Sequence, residues 1–284
     1  MAISARYLRR RLLNTFNLGI SVLATVFGLF WLTWLVWTLV DEGLRWINLS
    51  LFAQSTPAPG ATGGGIANAI VGSLLITLVG VVVGTPIGIL AATWLAEFGR
   101  YSRIAAVIRF VNDILLSAPS IVIGVFVYAV VVAQFGHFSG WSGGFALAII
   151  MLPVVLRTTE DMLVLVPDQI REAAAALGAP QWRVVVTVVY RASMGGMLTG
   201  VMLGIARISG ETAPLLFTAL NNQFWSTDMG GAMANLPVMI FQFAMSPYSN
   251  WQHLAWAGAL LITLAILALN LFARLVIRSN AFVK

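Results

Sequence analysis

Long apolar segments separated by short polar segments dominate the chain. Six of these segments approach or exceed the roughly 20 residues that an α-helix needs to cross the apolar core of a bilayer. The pattern therefore predicts six transmembrane helices. Their expected bounds are residues 18–40, 66–96, 118–135, 143–166, 194–220 and 254–277.

The segments between the predicted helices suggest how the chain is organised. Residues 52–65 are rich in proline and glycine, which predicts a flexible external linker. We expect it to separate a basic tail and the first helix (residues 1–65) from a five-helix core (residues 66–284). Residues 101–116 predict an amphipathic helix at the inner membrane surface. Residues 221–251 predict external loops or short helices packed on the core.

The composition supports a polytopic membrane protein with an all-α fold. Of the 284 residues, 60% are hydrophobic and 9% are charged, whereas a soluble domain carries about 25% charged residues. The mean hydropathy is +0.92. A net charge of +6 would suggest nucleic acid binding in a soluble protein. Here the arginines flank apolar segments, so we expect contacts with lipid headgroups and no nucleic acid partner.

The basic residues predict the orientation of the chain. All of them except Arg45 and Arg207 fall on one side of the six predicted helices. Because positively charged loops remain in the cytoplasm, we expect both termini to be cytoplasmic. The segment 166–191, between the fourth and fifth helices, is then a cytoplasmic loop.

The sequence lacks the side chains on which several common kinds of enzyme site depend. There is no cysteine, and His137 and His253 are far apart, so we expect no metal site. The single lysine is the last residue, Lys284, which excludes a Walker A motif in this chain. We therefore expect no catalytic residues and no ATPase site of its own.

The cytoplasmic loop contains a polar stretch that begins at Glu172, Ala173 and Ala174. Pro167 and Gly178 are suited to the start and stop of a helix over residues 167–177. Pro180 predicts a second helix that begins beside Trp182. Small alanine side chains would allow another protein to approach the first helix closely, although an ordinary surface hairpin gives the same pattern.

A second polar cluster lies in the fifth apolar segment, at Arg207, Ser209, Glu211 and Thr212. Arg207 and Glu211 are four residues apart and would share one face of a continuous helix. Charges inside a membrane are costly unless they are paired or face water, so they often mark a transport pathway. Arginine can bind an oxyanion through two parallel hydrogen bonds. A buried structural ion pair is the alternative interpretation.

Two further groups of polar residues are weaker candidates. Ser117 and Ser120 could line a pathway, but hydroxyls in such positions more often bond to their own helix. Arg157, Glu160 and Asp161 at the inner end of the fourth helix favour interface anchors or docking charges over substrate ligands.

The stretch Glu172-Ala173-Ala174 followed by Gly178 resembles the E-A-A-x-x-x-G loop of bacterial ABC importer permeases. The later part of that motif matches less well, because Tyr190 and Arg191 stand where the family has leucine and proline. The resemblance implies a MetI-like permease fold. It also implies that Glu172, Ala173, Ala174, Gly178 and Trp182 belong to a coupling helix seated in a separate ATP-binding subunit.

The segments 207–218 and 118–124 resemble the A-type membrane subunits of bacterial phosphate-specific ABC importers. This resemblance implies a phosphate importer in the bacterial inner membrane. The expected partners are a second permease subunit, two ATP-binding subunits that hold ATP and magnesium, and an external phosphate-binding protein. Arg207 and Glu211 would be needed for phosphate passage, with Ser209 and Thr212 beside them.

Two other functions remain open at the level of sequence. The same machine could carry another oxyanion, such as sulfate or molybdate. A self-contained secondary transporter or channel could instead use Arg207 and Glu211 as a proton-linked gate.

Overall fold

The computed structural model describes residues 5–281, and within that range the chain consists of helices, turns and irregular segments without β-strands. The expected all-α fold is confirmed for these residues. Lys284 and the side chains of Arg274 and Arg278, which contribute to the prediction of orientation, lie outside the described part.

Eleven helices make up the described part of the chain. In order they are α1 (Ala5–Leu44), α2 (Leu49–Ala53), α3 (Ala67–Phe98), α4 (Arg103–Ser117), α5 (Ser120–Phe135), α6 (Gly140–Val164), α7 (Asp168–Ala176), α8 (Gln181–Ser209), α9 (Ala213–Leu216), α10 (Leu236–Ala244) and α11 (Ser249–Ala281).

Five of these helices are long and apolar enough to cross a membrane, namely α1, α3, α6, α8 and α11. A sixth crossing forms if α4 and α5 are counted as one broken span, since they are bent by 105° relative to each other. Pro119 explains the bend, because proline lacks the backbone N–H and disfavours helical geometry at Ala118 before it. The expected amphipathic helix before the third span is present as α4.

Helix α6 lies at the centre of the bundle and is the most buried of the candidate membrane helices. Its side chains Leu147, Ile150 and Met151 form a core cluster with Ile76 of α3 and Ile208 of α8. The packing of these side chains fixes the positions of α3 and α8 against α6.

Three glycines of α3, spaced one turn apart, bring α3 and α6 into close contact. A Cβ atom at Gly80 would lie 2.9 Å from Leu147 Cβ, and one at Gly84 would lie 3.0 Å from the carbonyl oxygen of Ala148. A Cβ atom at Gly88 would lie 3.0 Å from Val155 Cβ. Contacts of this kind let two helix backbones approach more closely than larger residues allow.

Helix α1 stands apart from the other helices over most of its length, and no residue in its most apolar window is buried. It meets α11 near its end, where a Cβ atom at Gly43 would lie 2.6 Å from Leu260 Cβ. Just beyond α1, the ring of Trp46 stacks on that of His253 with 3.6 Å between centroids.

The proline- and glycine-rich segment after α1 is held in place by hydrogen bonds, contrary to the expected flexible linker. The backbone N–H and hydroxyl of Thr56 both donate to Asn68 Oδ1, at 3.2 and 3.1 Å. Trp251 Nε1 donates to the carbonyl oxygen of Pro57 at 3.2 Å. The expected boundary between two parts of the chain near residue 65 stays a prediction.

The predicted fifth span, residues 194–220, is wrong at both ends. Helix α8 begins at Gln181, directly after Pro180, and passes through a π-helical turn at Val185–Val189 before it continues to Ser209. It ends at Gly210 because Pro214 cannot continue a helix, since its ring would clash with the carbonyl group four residues earlier. The short helix α9 follows this break.

Candidate functional site

Arg207 lies in the last turn of α8 and Glu211 lies beyond the end of that helix. The expectation that the two residues share one face inside a continuous helix is therefore wrong. Their closest approach is 4.0 Å between Arg207 Nε and Glu211 Oε1, which is too long for a hydrogen bond. The Arg207 side chain is 40% exposed and that of Glu211 is 16% exposed. The pair is a loose electrostatic contact rather than a buried, neutralised one.

The guanidinium of Arg207 keeps its hydrogen-bonding capacity. No hydrogen bond from it occurs among the described residues, although a guanidinium has five N–H donors. This arrangement suits a group that receives an anion, because its donors need not be withdrawn from other acceptors first.

The structure separates the other two predicted pathway residues. Thr212 lies in the break between α8 and α9, next to Glu211. Ser209 instead donates to the carbonyl oxygen of Ile205 at 2.7 Å and lines a largely apolar cavity of about 220 Å³ between α3 and α11. Arg207 does not line that cavity, so Ser209 and Arg207 face different sides of α8.

The two sequence segments that resemble one family come together at the break. A Cβ atom at Gly124 of α5 would lie 2.6 Å from Pro214 Cα, so the backbones of α5 and α9 are in contact. This places the bend at Pro119 and the break at Gly210 in neighbouring parts of the bundle. Sequence reasoning missed this contact, because no local pattern in either segment indicates which distant segment lies beside it.

Ser117 bonds to its own helix rather than facing a pathway. Its hydroxyl donates to the carbonyl oxygens of Asp113 and Ile114, both at 3.0 Å, which are groups of its own helix. For Ser120 at the start of α5, no side-chain hydrogen bond occurs among the described contacts, and its role as a pathway residue stays a prediction.

The predicted helix over residues 167–177 is present as α7, one residue shorter at each end. Pro167 precedes its first turn and Leu177 follows its last one. Gly178 has φ +81°, the left-handed conformation that commonly ends a helix. The predicted second helix also begins after Pro180, but it is the first part of α8 rather than a separate element.

The residues of α7 point in different directions. Glu172 and Ala173 are exposed, as a docking surface requires. Ala174 is half-buried and packs against an apolar cluster within this chain that includes Leu163 of α6 and Val184 and Val189 of α8. A docking contact through Ala174 therefore stays a prediction that its position does not favour.

Two large apolar side chains extend the exposed surface beyond α7. Leu177 is 90% exposed and Trp182 is 59% exposed. The guanidinium of Arg183 lies over the Trp182 ring, 5.4 Å from its centroid. Sequence reasoning missed Leu177, and the available signal was a leucine directly before the glycine expected to end the helix.

An ion pair that sequence reasoning also missed joins α7 to the end of α3. Arg171 Nη2 lies 2.7 Å from Glu97 Oε1, and the two side chains are 18% and 6% exposed. The side-chain hydrogen bond with Glu97 raises the pKa of Arg171, outweighing the opposite effect of partial burial. In the sequence, Glu97 could have been noticed as a single acidic residue at the end of a long apolar segment.

The charges at the end of α6 are engaged within the chain. Glu160 is nearly buried and accepts a hydrogen bond from Arg109 Nε at 2.7 Å. Arg157 lies 3.4 Å from Asp161 and 3.9 Å from Asp113. These contacts agree with a role as anchors.

The potential metal ligands in the described part of the chain do not form a cluster. No group of three or more potential ligands among histidine, aspartate and glutamate occurs there. His137 lies beside the carbonyl group of Phe138, and His253 stacks on Trp46.

Comparison with known proteins identifies relatives over almost the whole chain. Residues 84–281 match the family described as "Binding-protein-dependent transport system inner membrane component". The "Phosphate transport system permease protein PstA" of Pasteurella multocida is 60% identical over 266 residues, covering 94% of this chain and 95% of that protein. The protein of the same name from Haemophilus influenzae is 57% identical over 270 residues, covering 95% of each chain. A Mycobacterium tuberculosis relative, "Phosphate transport system permease protein PstA 1", is 37% identical over 215 residues, covering 75% of this chain and 70% of its own.

Solved structures of low sequence identity share the fold. A chain from a bacterial ABC transporter that imports the acidic polysaccharide alginate has a TM-score of 0.62 at 16% identity, covering 96% of this chain and 98% of that one. A chain of the MetNI methionine ABC transporter in an inward-facing conformation has a TM-score of 0.58 at 17% identity, covering 75% and 92%. The chain belongs to the family of binding-protein-dependent transport system inner membrane components and, within it, to the phosphate transport system permease proteins.

Proposed function

We propose that this chain is a transmembrane permease subunit of an ATP-driven phosphate importer. Relatives that are 57–60% identical over nearly the full length carry a name for phosphate transport. The structural observation that carries the proposal is the exposed guanidinium of Arg207 at a helix break. It lies 4.0 Å from the Glu211 carboxylate, too far for a hydrogen bond, so its N–H donors remain available to an anion.

In this proposal Arg207 binds phosphate during its passage. A guanidinium can donate two parallel hydrogen bonds to two phosphate oxygens. Glu211, just beyond the end of α8, would hold the Arg207 side chain near the pathway when no anion is present. Thr212 could donate a further hydrogen bond from the same break. The chain itself breaks no covalent bond.

The energy for transport would come from other subunits. The sequence has no lysine that could serve in a phosphate-binding loop for ATP, since its one lysine is the last residue. We propose that two separate ATP-binding subunits hold ATP and magnesium. The exposed face formed by Glu172, Ala173, Leu177 and Trp182 would seat in one of them.

The remaining partners follow from the same proposal. Exposed apolar side chains cover α1 and the outer faces of α3 and α5. They are available to contact lipid or a second, related permease subunit, which we propose completes the pathway. An external phosphate-binding protein would deliver the substrate. The distribution of arginines supports a cytoplasmic position for both termini and for α7.

A transport assay tests the function and its alternatives together. The complex, purified with its co-expressed partners and placed in vesicles, should take up labelled phosphate only when ATP is supplied. Excess sulfate or molybdate should not compete. Uptake driven by a proton gradient without ATP would overturn the importer, and strong competition by sulfate would overturn the assignment of phosphate.

A matched pair of substitutions tests the docking surface on α7. Ala173→Leu adds bulk on the exposed face and should reduce co-purification of the ATP-binding subunits. Leu177→Ser removes apolar contact area from the same face and should act in the same direction. Normal co-purification of both variants would show that this face does not seat in the ATP-binding subunit.

A further inference from the structure

Arg171 makes more hydrogen bonds than any other arginine in the described part of the chain. Its Nε donates to both carboxylate oxygens of Glu97, at 3.2 and 3.1 Å, and Nη2 donates to one of them at 2.7 Å. Nη2 also donates to the carbonyl oxygen of Leu163 at 2.8 Å. Nη1 donates to the carbonyl oxygen of Val166 and to Asp168 Oδ1, the latter at 3.2 Å. These acceptors can engage all five N–H groups of the guanidinium.

The acceptors belong to different structural elements. Glu97 lies in the π-helical turn that ends α3. Leu163 lies in the last turn of α6, and Val166 lies in the short segment between α6 and α7. Arg171 itself belongs to α7. One side chain therefore connects the ends of two membrane helices to the helix that we propose as the docking element.

A fourth element joins at the same place. Gln181 Nε2, at the first turn of α8, donates to the backbone carbonyl oxygen of Glu97 at 3.0 Å. Helix α8 carries Arg207 at its other end. Glu97 is therefore in contact both with α7 and with α8, the helix that carries the proposed phosphate-binding residue Arg207.

The other contacts of α7 with the chain are weak by comparison. None of its residues is buried, and its one half-buried apolar side chain, Ala174, packs against a cluster that includes residues of α6 and α8. The neighbouring ion pair between Arg100 and Asp168 is 3.7 Å long, with side chains 41% and 63% exposed. Exposed pairs of this kind contribute little, whereas a desolvated pair with hydrogen-bonded partners resists separation.

We propose that Arg171 and Glu97 are positioning residues that couple α7 mechanically to α3, α6 and α8. This proposal rests on the proposed function, in which an ATP-binding subunit moves α7. Because the guanidinium fixes α7 to the ends of α3 and α6, a displacement of α7 displaces those helices with it. Without the ion pair between Arg171 and Glu97, α7 would still bind the ATP-binding subunit, but a displacement of α7 would no longer displace the helices that form the pathway.

Two conservative variants test the proposal in the assembled complex. Glu97→Gln keeps the shape of the side chain but removes its charge, and Arg171→Lys keeps the charge but cannot engage so many acceptors. In both we expect normal co-purification of the partners and continued ATP hydrolysis. The ratio of phosphate transported to ATP hydrolysed should fall by about tenfold or more, within the usual range of coupling between sites. Arg100→Gln, at the exposed pair beside them, should leave the ratio unchanged.

A cross-linking experiment distinguishes lost coupling from a general loss of structure. The chain has no cysteine, so Glu97→Cys and Arg171→Cys together provide the only thiols in it. The double variant should hydrolyse ATP without transporting phosphate. A short thiol-reactive cross-linker that joins the two positions should restore transport, whereas the same reagent should not restore either single variant.

The possible results separate cleanly. An unchanged ratio in Glu97→Gln and Arg171→Lys would overturn the coupling role. A parallel loss of assembly, ATP hydrolysis and transport that the cross-linker does not reverse would also overturn it in favour of a purely structural role. If the unaltered complex shows no ATP-driven phosphate uptake, the proposed function fails instead, and the ratio has no meaning.

Discussion

Two arginine–glutamate contacts in this chain have the same chemistry and opposite surroundings. Arg171 and Glu97 form a short, largely desolvated ion pair in which the guanidinium has an acceptor for every N–H group. Arg207 and Glu211 approach to 4.0 Å with the guanidinium partly exposed. Arg171 and Glu97 are 74 residues apart in the sequence, whereas Arg207 and Glu211 are four residues apart.

The difference shows how one residue type can serve two purposes. A guanidinium whose donors are all used cannot bind an anion without breaking existing bonds, so Arg171 is suited to holding helices together. A guanidinium with free donors can bind an anion and release it again, so Arg207 is suited to a transport pathway. Residue type alone does not tell these roles apart, whereas the acceptors around each guanidinium do.

The comparison predicts the largest effect for stability. Glu97→Ala leaves the largely buried Arg171 without its carboxylate and should lower the free energy of unfolding by about 3 kcal/mol or more. Glu211→Ala removes a loose, partly exposed contact and should cost about 1 kcal/mol or less. Thermal unfolding of the purified complex in detergent measures both. Equal losses in the two variants would remove the distinction between the pairs.

The next effect concerns transport through Arg207. Arg207→Gln should lower ATP-driven phosphate uptake by roughly thirtyfold or more, because losing hydrogen bonds to a charged ligand costs about 2 kcal/mol. Assembly and thermal stability should remain near those of the unaltered protein, since the guanidinium makes no hydrogen bond in the described structure. Arg207→Lys serves as a control for charge and should fall between the two. Undiminished uptake by Arg207→Gln would reduce this residue to a packing role.

A smaller effect is expected for the partner of Arg207. Glu211→Gln removes an attraction across 4.0 Å, so phosphate uptake should change by about fivefold or less, corresponding to roughly 1 kcal/mol. Uptake measured over a range of phosphate concentrations gives the result. A loss as large as that of Arg207→Gln would show that the carboxylate acts on phosphate directly.

The smallest effect is the response to salt. Raising ionic strength screens exposed charges more than buried ones. The phosphate concentration for half-maximal uptake should therefore rise by about twofold between low and physiological salt. The stability difference between the unaltered protein and Glu97→Gln should stay constant over the same range. A salt-sensitive stability difference would indicate that the Arg171 pair is exposed to solvent in the working complex.

Local sequence signals predicted much of the fold. The long apolar segments indicated the membrane helices. Pro167 and Gly178 indicated where α7 begins and ends, and Pro180 indicated where α8 begins. These residues act through their own backbone geometry, so their effects can be recognised without knowledge of the neighbours. Pro214 carried a similar signal for the end of α8, and the apolar residues around it concealed that signal.

Contacts between distant segments could not be predicted in the same way. Glu97 and Arg171 are 74 residues apart, and many other charged pairs were equally compatible with the sequence. The half-buried position of Ala174 depends on how α7 lies against a cluster built from several helices, which no local pattern determines. The glycines of α3 allow close contact with α6, and which helix lies beside them depends on the packing of the whole bundle.

That close contact has a consequence for how the protein can move. Gly80, Gly84 and Gly88 let α3 lie so close to α6 that a rotation of α3 would bring larger side chains against α6, so we expect the two helices to move together. A change of conformation must then be taken up at joints elsewhere in the chain. The bend at Pro119 and the break at Gly210 are two such joints, and they lie in neighbouring parts of the bundle. The segments beyond these joints, next to Arg207, would then move relative to the pair formed by α3 and α6.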